Sequence, residues 1–515
     1  THAMGNSIGG MHKYTDYADE EPLFQGGFIW DYIDQTIWTK DRYGQDYLGY
    51  GGDFGDRPHD DNFSGDGILF GDHGITPKMQ EVKANYQPLV ITADEEGFTV
   101  RNRALFTNSN EWICSLTLES EGRTLDYMEV ETDVAPGETK SYEWPWDKRT
   151  TAGEYLVTVS FTLWNDLEWA TAGHEIAFGQ AVYTVTSDET QHPTKNTRFD
   201  GTYRELTSSR DLVVTKGSMT IGVKGMDFEA LFEKRHGGLV SYNYGGQELL
   251  EGIVKPNYWR APTDNDRGYK MERKAGFWKL ASLYQLSDEP QVETMEDGRV
   301  QVTYVFSLAD DKDASSTVTY TISRDGTIRV DQELAAQDVD ALLPEFSLLF
   351  KLSADVDRFT WYGMGPEETY ADRKRGGKLG LWETTVEENF AKYPRPQESG
   401  AHQHVRWARV TDRKGRGILF TADPDGRSYD PTQGPELTSE ITGGMTFSAL
   451  HWTPHEIENA RHHYELPDPH YTIVRCAQAQ MGVGGDNSWG AQVHEEYHLD
   501  SSEPLKHSFS FRGVV

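Results

Sequence analysis

Cysteine is scarce in this chain. Cys114 and Cys476 are the only two among 515 residues. Two thiols cannot build a disulfide framework, and they exclude a zinc site made of cysteines. Such scarcity is typical of proteins from a reducing compartment, and we therefore expect a cytoplasmic location.

Long apolar runs and basic residues are also scarce. No stretch of about 18 apolar residues occurs, so we expect no membrane-spanning helix. The chain does not start with a basic segment followed by an apolar one, so no signal peptide is predicted. The 49 Lys and Arg are outnumbered by 83 Asp and Glu, which gives a net charge of −34. Such a surface repels phosphate backbones and anionic lipids, so we expect neither nucleic acid nor a membrane as a partner.

Aromatic residues, by contrast, are plentiful, with 14 Trp, 26 Tyr and 22 Phe. Disordered chains lack that content, so the chain is expected to fold. Its length favours about three to four domains, since a domain has roughly 150 residues and all-β domains can be larger.

The N-terminal region has an α/β pattern. Residues 28–30 (FIW) are a short apolar run between glycines and an aspartate, which predicts a strand buried on both faces. Residues 67–70 (GILF) repeat this pattern after a Gly/Asp-rich loop. Thr76 and Pro77 then predict the N-cap and the first position of a helix.

Farther along, the pattern becomes the alternation typical of antiparallel strands. Between residues 155 and 163, every second side chain is apolar and those between are small and polar. Two more alternating runs flank Asp325-Gly326, which predicts a hairpin. The polar residues 187–200 predict a linker. We therefore expect residues 200–515 to form one large β-sandwich domain.

Four histidines close in sequence suggest a zinc site: His451, His455, His462 and His463. However, residues 453–456 (TPHE) predict a capping box with proline at the first helical position. His451 then precedes the helix and cannot share a helical face with His455. We therefore interpret the four histidines as surface residues without a metal.

Five short motifs are spread over nearly the whole chain. They lie at residues 2–7 (HAMGNS), 25–35 (QGGFIWDYIDQ), 50–56 (YGGDFGD), 260–266 (RAPTDND) and 484–489 (GGDNSW). Together and in this order they resemble the large bacterial β-galactosidases of glycoside hydrolase family 2. Each motif alone would be weak evidence, whereas the ordered set is specific.

The resemblance implies a mixed, mostly β fold in three parts. Residues 1–87 would be the C-terminal third of a (β/α)₈ barrel, in which the catalytic face lies at the C-terminal ends of the strands. Residues 88–187 would be an immunoglobulin-like β-sandwich, and residues 188–199 a linker. Residues 200–515 would be the large C-terminal β-sandwich of the family, its supersandwich.

The resemblance also implies hydrolysis of terminal β-D-galactose residues, as in lactose, with retention of configuration. Such an enzyme needs two carboxyl groups about 5–5.5 Å apart. In the family, the nucleophilic glutamate lies shortly before the residue that aligns with His2, and the acid/base glutamate and the Mg²⁺ ligands lie further upstream. We therefore expect Thr1 to follow an internal cut, with no catalytic carboxylate on this chain. A partner chain with the N-terminal half would supply them, and the isolated chain would be inactive.

The sugar-binding half of the site would remain here. His2 resembles the histidine that hydrogen-bonds galactose hydroxyls, and Trp30 the aromatic wall at the C6 edge of the sugar. Trp489 follows a turn sequence and resembles the stacking platform of the aglycone subsite. For Trp30 and Trp489, packing in the core is the alternative interpretation.

A monovalent cation, Na⁺ in the family, would be bound beside the galactose O6. The resemblance assigns the carbonyl oxygen of Phe63 and the side chain of Asp66 as ligands, and hard cations prefer oxygen. The best-known family members have Asn where Asp66 stands, so the added charge would strengthen the site or change its ion. A Gly/Asp turn without metal is the alternative.

Three further hypotheses complete the sequence interpretation. Arg260 and Asp264 are expected to form a structural ion pair, ahead of residues 268–269, which align with a mobile loop of the family.

Rival functions are a non-catalytic carbohydrate-binding or scaffold fragment, and a related glycosidase such as a β-glucuronidase. Residues 484–489 and the C-terminal sandwich argue against the latter, because they belong to the long galactosidases. The family commonly assembles, so a homo-oligomer is expected.

Overall fold

The computed structural model describes residues 2–94, 96–147, 149–185, 211–308, 311–336, 341–423, 441 and 443–515, with only the backbone of 311–313. Far more of these residues lie in strands than in helices, which confirms the mixed, mostly β fold class. The predicted linker at 188–199 lies outside the described residues. No helix in the described ranges is both long enough and apolar enough to cross a membrane.

The N-terminal region contains two helices and one hairpin: α1 (Met11–Glu20), β1 (Ile37–Lys40), β2 (Asp46–Gly49) and α2 (Lys78–Asn85). Isolated parallel bridges join His2 to Trp30 and Ile33 to Leu69. A small apolar core holds the region together, made of Ala3, Ile8, Met11, Ile68 and Val82. The backbone segments at His2, Trp30 and Leu69 thus run side by side.

The strand predicted at residues 28–30 is wrong. Phe28 is 94% exposed, and Trp30 pairs only through its single bridge to His2. A strand buried on both faces needs packing layers above and below the sheet, and among the described residues no such layer covers Phe28. Residues 67–69 are buried as predicted, but they too pair only through isolated bridges.

Helix α2 is present where a helix was predicted, but its start differs. Pro77 occupies the N-cap position, and no side chain caps the helix. The hydroxyl of Thr76 instead donates to the carbonyl of Ile68, at 2.6 Å. Thr76 therefore ties the helix to the preceding buried segment, and its predicted role as N-cap is wrong.

Seven strands follow: β3 (Leu89–Ala93), β4 (Gly97–Asn102), β5 (Trp112–Ser120), β6 (Arg123–Val130), β7 (Thr139–Glu143), β8 (Gly153–Leu163) and β9 (Glu175–Val185). These strands make up the middle region of the chain and form two antiparallel sheets, with strand orders β3-β4-β7 and β6-β5-β8-β9. Apolar side chains from both sheets share one core, as with Val100 and Val159. Along β8 the odd-numbered residues from Tyr155 to Leu163 are buried, which confirms the predicted alternation.

The remaining elements belong to the C-terminal region: β10 (Val213–Lys216), β11 (Thr220–Lys224), β12 (Phe228–Glu233), β13 (Gly238–Tyr244), β14 (Gln247–Glu248), β15 (Lys255–Asn257), α3 (Asp264–Gly268), α4 (Met271–Lys274), α5 (Gly276–Leu283), β16 (Gln285–Ser287), β17 (Gln291–Thr294), β18 (Val300–Leu308), β19 (Asp311–Ile322), β20 (Ile328–Leu334), β21 (Glu345–Ser353), β22 (Arg358–Gly365), β23 (Lys378–Thr385), β24 (Ala401–Val405), β25 (Trp407–Thr411), β26 (Gly417–Ala422), β27 (Met445–Leu450), α6 (Pro454–Asn459), β28 (Tyr471–Gln480) and β29 (Leu505–Val514).

Within the described residues these strands form three sheets. Their orders are β10-β11-β12-β13-β14, then β15-β21-β28-β27-β24, then β16-β18-β19-β20-β29-β26-β25-β22-β23 with β17 on β18. One apolar core runs through all three, from Val223 through Phe350 to Phe511. The shared core shows that the three sheets pack as one body.

Two local predictions in this region are confirmed. Strands β19 and β20 form the antiparallel hairpin around Asp325-Gly326, with Ile322 opposite Ile328. Helix α6 begins with a complete capping box, in which the side chains of Thr453 and Glu456 each accept from the other residue's backbone N–H.

The four histidines near α6 are not all surface residues. The His451 and His462 side chains are buried. Nδ1 of His451 lies 2.9 Å from the Tyr471 carbonyl, and Nε2 of His463 lies 2.8 Å from the Tyr393 carbonyl. The ring nitrogens of His451 and His463 thus bond to backbone carbonyls, which indicates a structural role for these two side chains. No metal-binding group of three or more His, Cys, Asp or Glu is found in the described part of the chain.

Candidate functional site

His2 lies at the centre of the candidate site. The backbone N–H of Ala3 donates to the Trp30 carbonyl at 2.7 Å, which fixes the backbone segment that carries His2. The His2 ring is buried, with Nδ1 2.9 Å from Oγ of Ser488 and Nε2 3.8 Å from Oδ2 of Asp66. Burial lowers the pKa of His2, and the nearby Asp66 carboxylate opposes that shift.

Trp30 and Asp66 are directly joined. The Trp30 indole Nε1–H donates to Oδ2 of Asp66 at 2.8 Å, and the backbone N–H of Asp31 donates to the Asp66 carbonyl at 2.5 Å. Trp30 is 60% exposed, so one end of its indole is anchored while most of the ring remains accessible. Among the described residues, Trp30 is not packed in an apolar core.

Trp489 and Phe63 border the same histidine. The Trp489 ring meets the His2 ring edge-on, with centroids 5.2 Å apart, and Phe63 lies 6.4 Å from it. Trp489 is 64% exposed and lies on a loop, where its backbone N–H donates to Oδ1 of Asn487. The loop placement was predicted, and among the described residues Trp489 is not packed in an apolar core.

The structure thus brings together all five residues singled out from the sequence: His2, Trp30, Phe63, Asp66 and Trp489. They come from four separate segments of the chain. His2 and Trp30 lie next to the Asp66 carboxylate, and Trp489 and Phe63 lie beside the His2 ring. Accessible rings beside buried polar groups suit a sugar, which has apolar faces and hydroxyl edges.

The surroundings of Asp66 fit a monovalent cation. Asp66 is buried, and its Oδ1 has no hydrogen-bond partner among the described residues. Burial raises the pKa of Asp66, and the hydrogen bond from Trp30 opposes that shift. The 3₁₀ turn Asp61–Ser64 places the Phe63 backbone just before Asp66. A buried carboxylate oxygen without a donor suits a hard cation such as Na⁺, which prefers oxygen ligands.

The ion pair predicted between Arg260 and Asp264 is wrong. Arg260 pairs with Asp266, with Nη2 3.0 Å from Oδ2 and both side chains buried. The reason is the capping box of α3, which turns Asp266 back toward Thr263 and Arg260. The Asp264 carboxylate instead accepts from Asn62 Nδ2 at 2.9 Å.

Asp264 therefore links the C-terminal region to the candidate site. Its Oδ2 accepts from Gln397 Nε2 at 2.8 Å, and Gln397 Oε1 accepts from the backbone N–H of Asn6 at 3.0 Å. Residues 264–268 form helix α3, and Tyr269 behind them is buried. Through Gln397, Asp264 thus holds the backbone at Asn6, four positions after His2.

Sequence reasoning missed two residues that contact His2 or its partner. Ser488 bonds to His2, and Ser488 Oγ also lies 2.6 Å from Oδ1 of Asn265. Both residues lie inside motifs already quoted, at 484–489 and 260–266. Nothing in the sequence shows that these motifs meet His2, since His2 and Ser488 are 486 positions apart.

Comparison with known protein families shows which family the chain belongs to. The model of the β-galactosidase small chain matches residues 224–512, more than half of the chain. The chain belongs to this family. The TIM-barrel domain of family 2 glycosyl hydrolases matches residues 1–91, and β-galactosidase domain 4 matches residues 98–184.

Curated relatives extend the family relationship over the whole chain. A β-galactosidase of Halalkalibacterium halodurans is 40% identical, covering 100% of this chain and 48% of the relative. Those of Priestia megaterium and Streptococcus thermophilus are each 37% identical, covering 100% and 99% of this chain and 47% and 46% of the relatives. The chain therefore spans about half the length of these relatives and corresponds to their C-terminal half.

Proposed function

We propose that residues 1–515 supply the sugar-binding half of a retaining β-galactosidase, which removes terminal β-D-galactose from galactosides such as lactose. The observation that carries the proposal is that His2 lies between the Asp66 carboxylate, which is bonded to Trp30, and the Trp489 ring, in a chain of the β-galactosidase family. These groups can hold a sugar by hydrogen bonds and ring contacts.

Each group has a defined task in this proposal. His2 hydrogen-bonds hydroxyls of the galactose, and its contacts aid catalysis to the extent that they strengthen in the transition state. Trp30 covers one edge of the galactose ring. Trp489, on its loop beside His2, stacks on the sugar that leaves.

The bond-breaking carboxylates are assigned to the other half of the enzyme. Retention requires one carboxylate to attack the anomeric carbon and one carboxylic acid to protonate the leaving oxygen, about 5–5.5 Å apart. We propose that a polypeptide matching the remaining half of the relatives' length contributes both, together with bound Mg²⁺. The chain's match to about half of each relative supports such a partner.

A monovalent cation, Na⁺ in the first instance, completes the proposed sugar site. The Phe63 carbonyl and the Asp66 carboxylate would hold it, and its charge would favour an oxygen of the bound sugar. Asp66 remains bonded to Trp30 through Oδ2, so the cation would use the unpaired Oδ1.

The test uses the assembled enzyme, that is, residues 1–515 together with the polypeptide for the other half. Hydrolysis of a chromogenic β-galactoside is compared with that of the matching β-glucuronide and β-glucoside. We expect the galactoside to be preferred, and His2→Ala to lower its kcat/KM by about 10²-fold or more, within the range known for single transition-state hydrogen bonds. His174→Ala, at an exposed position of the middle region, is the control. Preference for the glucuronide would contradict the proposal.

A further inference from the structure

Ser488 lies between two hydrogen-bonding partners. Its side chain is buried, and Oγ is 2.9 Å from Nδ1 of His2 and 2.6 Å from Oδ1 of Asn265. A hydroxyl has one hydrogen to donate and two lone pairs to accept. The direction of these two bonds therefore determines where the His2 proton lies.

The orientation of the Asn265 amide settles the first bond. Its nitrogen, Nδ2, lies 3.0 Å from the carbonyl oxygen of Val483, which can only accept. The Asn265 amide therefore points its NH₂ group to Val483 and its oxygen to Ser488. An amide oxygen accepts only, so the single hydroxyl hydrogen of Ser488 goes to Asn265.

The second bond must then run the other way. With its hydrogen committed, Ser488 Oγ accepts from Nδ1–H of His2. We propose that Ser488 and Asn265 are positioning residues that hold the neutral His2 ring in its Nδ1–H form, so that Nε2 accepts a hydrogen bond from a hydroxyl of the bound sugar. The identity of the bound sugar in this inference rests on the proposed function, whereas the position of the His2 proton rests on the geometry alone.

The other side of the ring agrees with this assignment. Nε2 of His2 lies 3.8 Å from Oδ2 of Asp66, too far for a hydrogen bond. That oxygen already accepts from Trp30. Nε2 of His2 is thus an acceptor without a donor among the described residues, and a sugar hydroxyl can provide one. The opposite form of the ring would leave Nδ1 and Asn265 Oδ1 competing for one hydroxyl hydrogen.

The proton position can be measured without any turnover. We would label the full chain with ¹⁵N-histidine and record ring nitrogen–proton correlations, assigning the His2 signals by their loss in His2→Gln. The expected spectrum shows a neutral His2 ring protonated at Nδ1, and Ser488→Ala should shift the ring toward a mixture of both forms. A neutral His2 protonated at Nε2 in the unmodified chain would overturn the inference.

The functional consequence is tested by a double-mutant cycle in the assembled enzyme. Ser488→Ala should lower kcat/KM for a β-galactoside by about 10-fold, which corresponds to one well-formed hydrogen bond. In a His2→Ala background the same change should have less than about a 2-fold effect, because Ser488 acts through His2. Ser399→Ala, which removes a buried hydroxyl without a partner in the described structure, should change kcat/KM by less than 2-fold.

Two results would count against the positioning role. These are equal losses for Ser488→Ala in both backgrounds, which indicate a purely structural contribution, and no loss in the unmodified background. Failure of the assembled enzyme to hydrolyse any β-galactoside would overturn the proposed function instead. In that case the labelled-histidine spectrum still shows which ring nitrogen of His2 carries the proton.

Discussion

The indole Nε1–H of Trp30 donates to Oδ2 of Asp66 at 2.8 Å, while Oδ1 of the same carboxylate has no hydrogen-bond partner among the described residues. One carboxylate thus orients an exposed aromatic ring and offers a second oxygen to a ligand. Asp66 thus connects the proposed sugar-binding ring of Trp30 with the proposed cation, and the first prediction separates the two roles.

Replacing Asp66 should affect both sugar binding and the response to Na⁺. In the assembled enzyme, Asp66→Ala is expected to raise KM for galactosides by about 10-fold, on the scale of one lost hydrogen bond to a charged group, and to weaken activation by Na⁺. Asp66→Asn should change KM less, because its amide oxygen can still accept from Trp30. Asp60→Ala, at a nearby exposed position, is the control. Unchanged Na⁺ dependence in Asp66→Ala would contradict the cation site.

Replacing Trp489 should distinguish the two sugars of lactose. Trp489→Ala is expected to weaken glucose as an acceptor by about 2- to 12-fold, matching a stacking contribution of about 0.5–1.5 kcal/mol, and to leave galactose inhibition nearly unchanged. Transgalactosylation rates and inhibition constants give the two numbers. Trp164→Ala removes an equally exposed indole from the middle region and should alter neither. Equal losses for both sugars would indicate a collapsed loop.

A buried ion-pair network should be essential for stability. Arg475 donates to Oε2 of Glu345 and to Oε1 of Glu398, each at 2.6 Å, with all three side chains buried. Arg475→Met leaves two carboxylates without their cation and should cost about 3–5 kcal/mol in the free energy of unfolding. Arg299→Met, which breaks the exposed pair with Asp297, should cost no more than about 1 kcal/mol. Similar losses in the two variants, measured by denaturant unfolding, would refute this assignment.

Acid should destabilise the chain partly through His507. Burial lowers the pKa of His507 to about 3, below its ordinary value of 6.5. Between these values the unfolded chain binds the proton and the folded chain does not, so stability falls as the pH drops from 6.5 toward 3. One such group contributes at most about 1.4 kcal/mol per pH unit.

The measurement is the pH dependence of the free energy of unfolding in His507→Phe. The introduced phenyl ring carries no charge and fills the space in which the His507 ring stacks on Phe509. We expect a shallower loss of stability below pH 6.5 than in the unmodified chain, whereas His470→Phe, at an exposed position, should keep the original slope. An unaltered slope in His507→Phe would show that His507 is protonated in the folded chain.

Local patterns were predictable from the sequence where the neighbours in the chain determine the structure. The alternation in β8, the hairpin at Asp325-Gly326 and the capping box at Thr453 each depend on residues only a few positions apart. The five site residues were found through motifs, and the structure brings them together.

Predictions failed where a local capping box was overlooked and where distant segments determine the outcome. Arg260 selects Asp266 because the α3 capping box orients that carboxylate, and the spacing of charges alone does not show this. His462 was expected at the surface, yet it is buried with Nε2 3.0 Å from Asp53, 409 positions away. Ser488 escaped notice for the same reason, since only the folded chain places it against His2.

The central claim is that this chain binds the sugar and does not itself break the glycosidic bond. The most direct measurement is turnover of a chromogenic β-galactoside by purified residues 1–515, alone and after addition of the polypeptide for the other half of the enzyme. We predict no turnover by the chain alone and activity in the mixture, which His2→Ala should strongly reduce. Turnover by the verified pure chain alone would contradict the account.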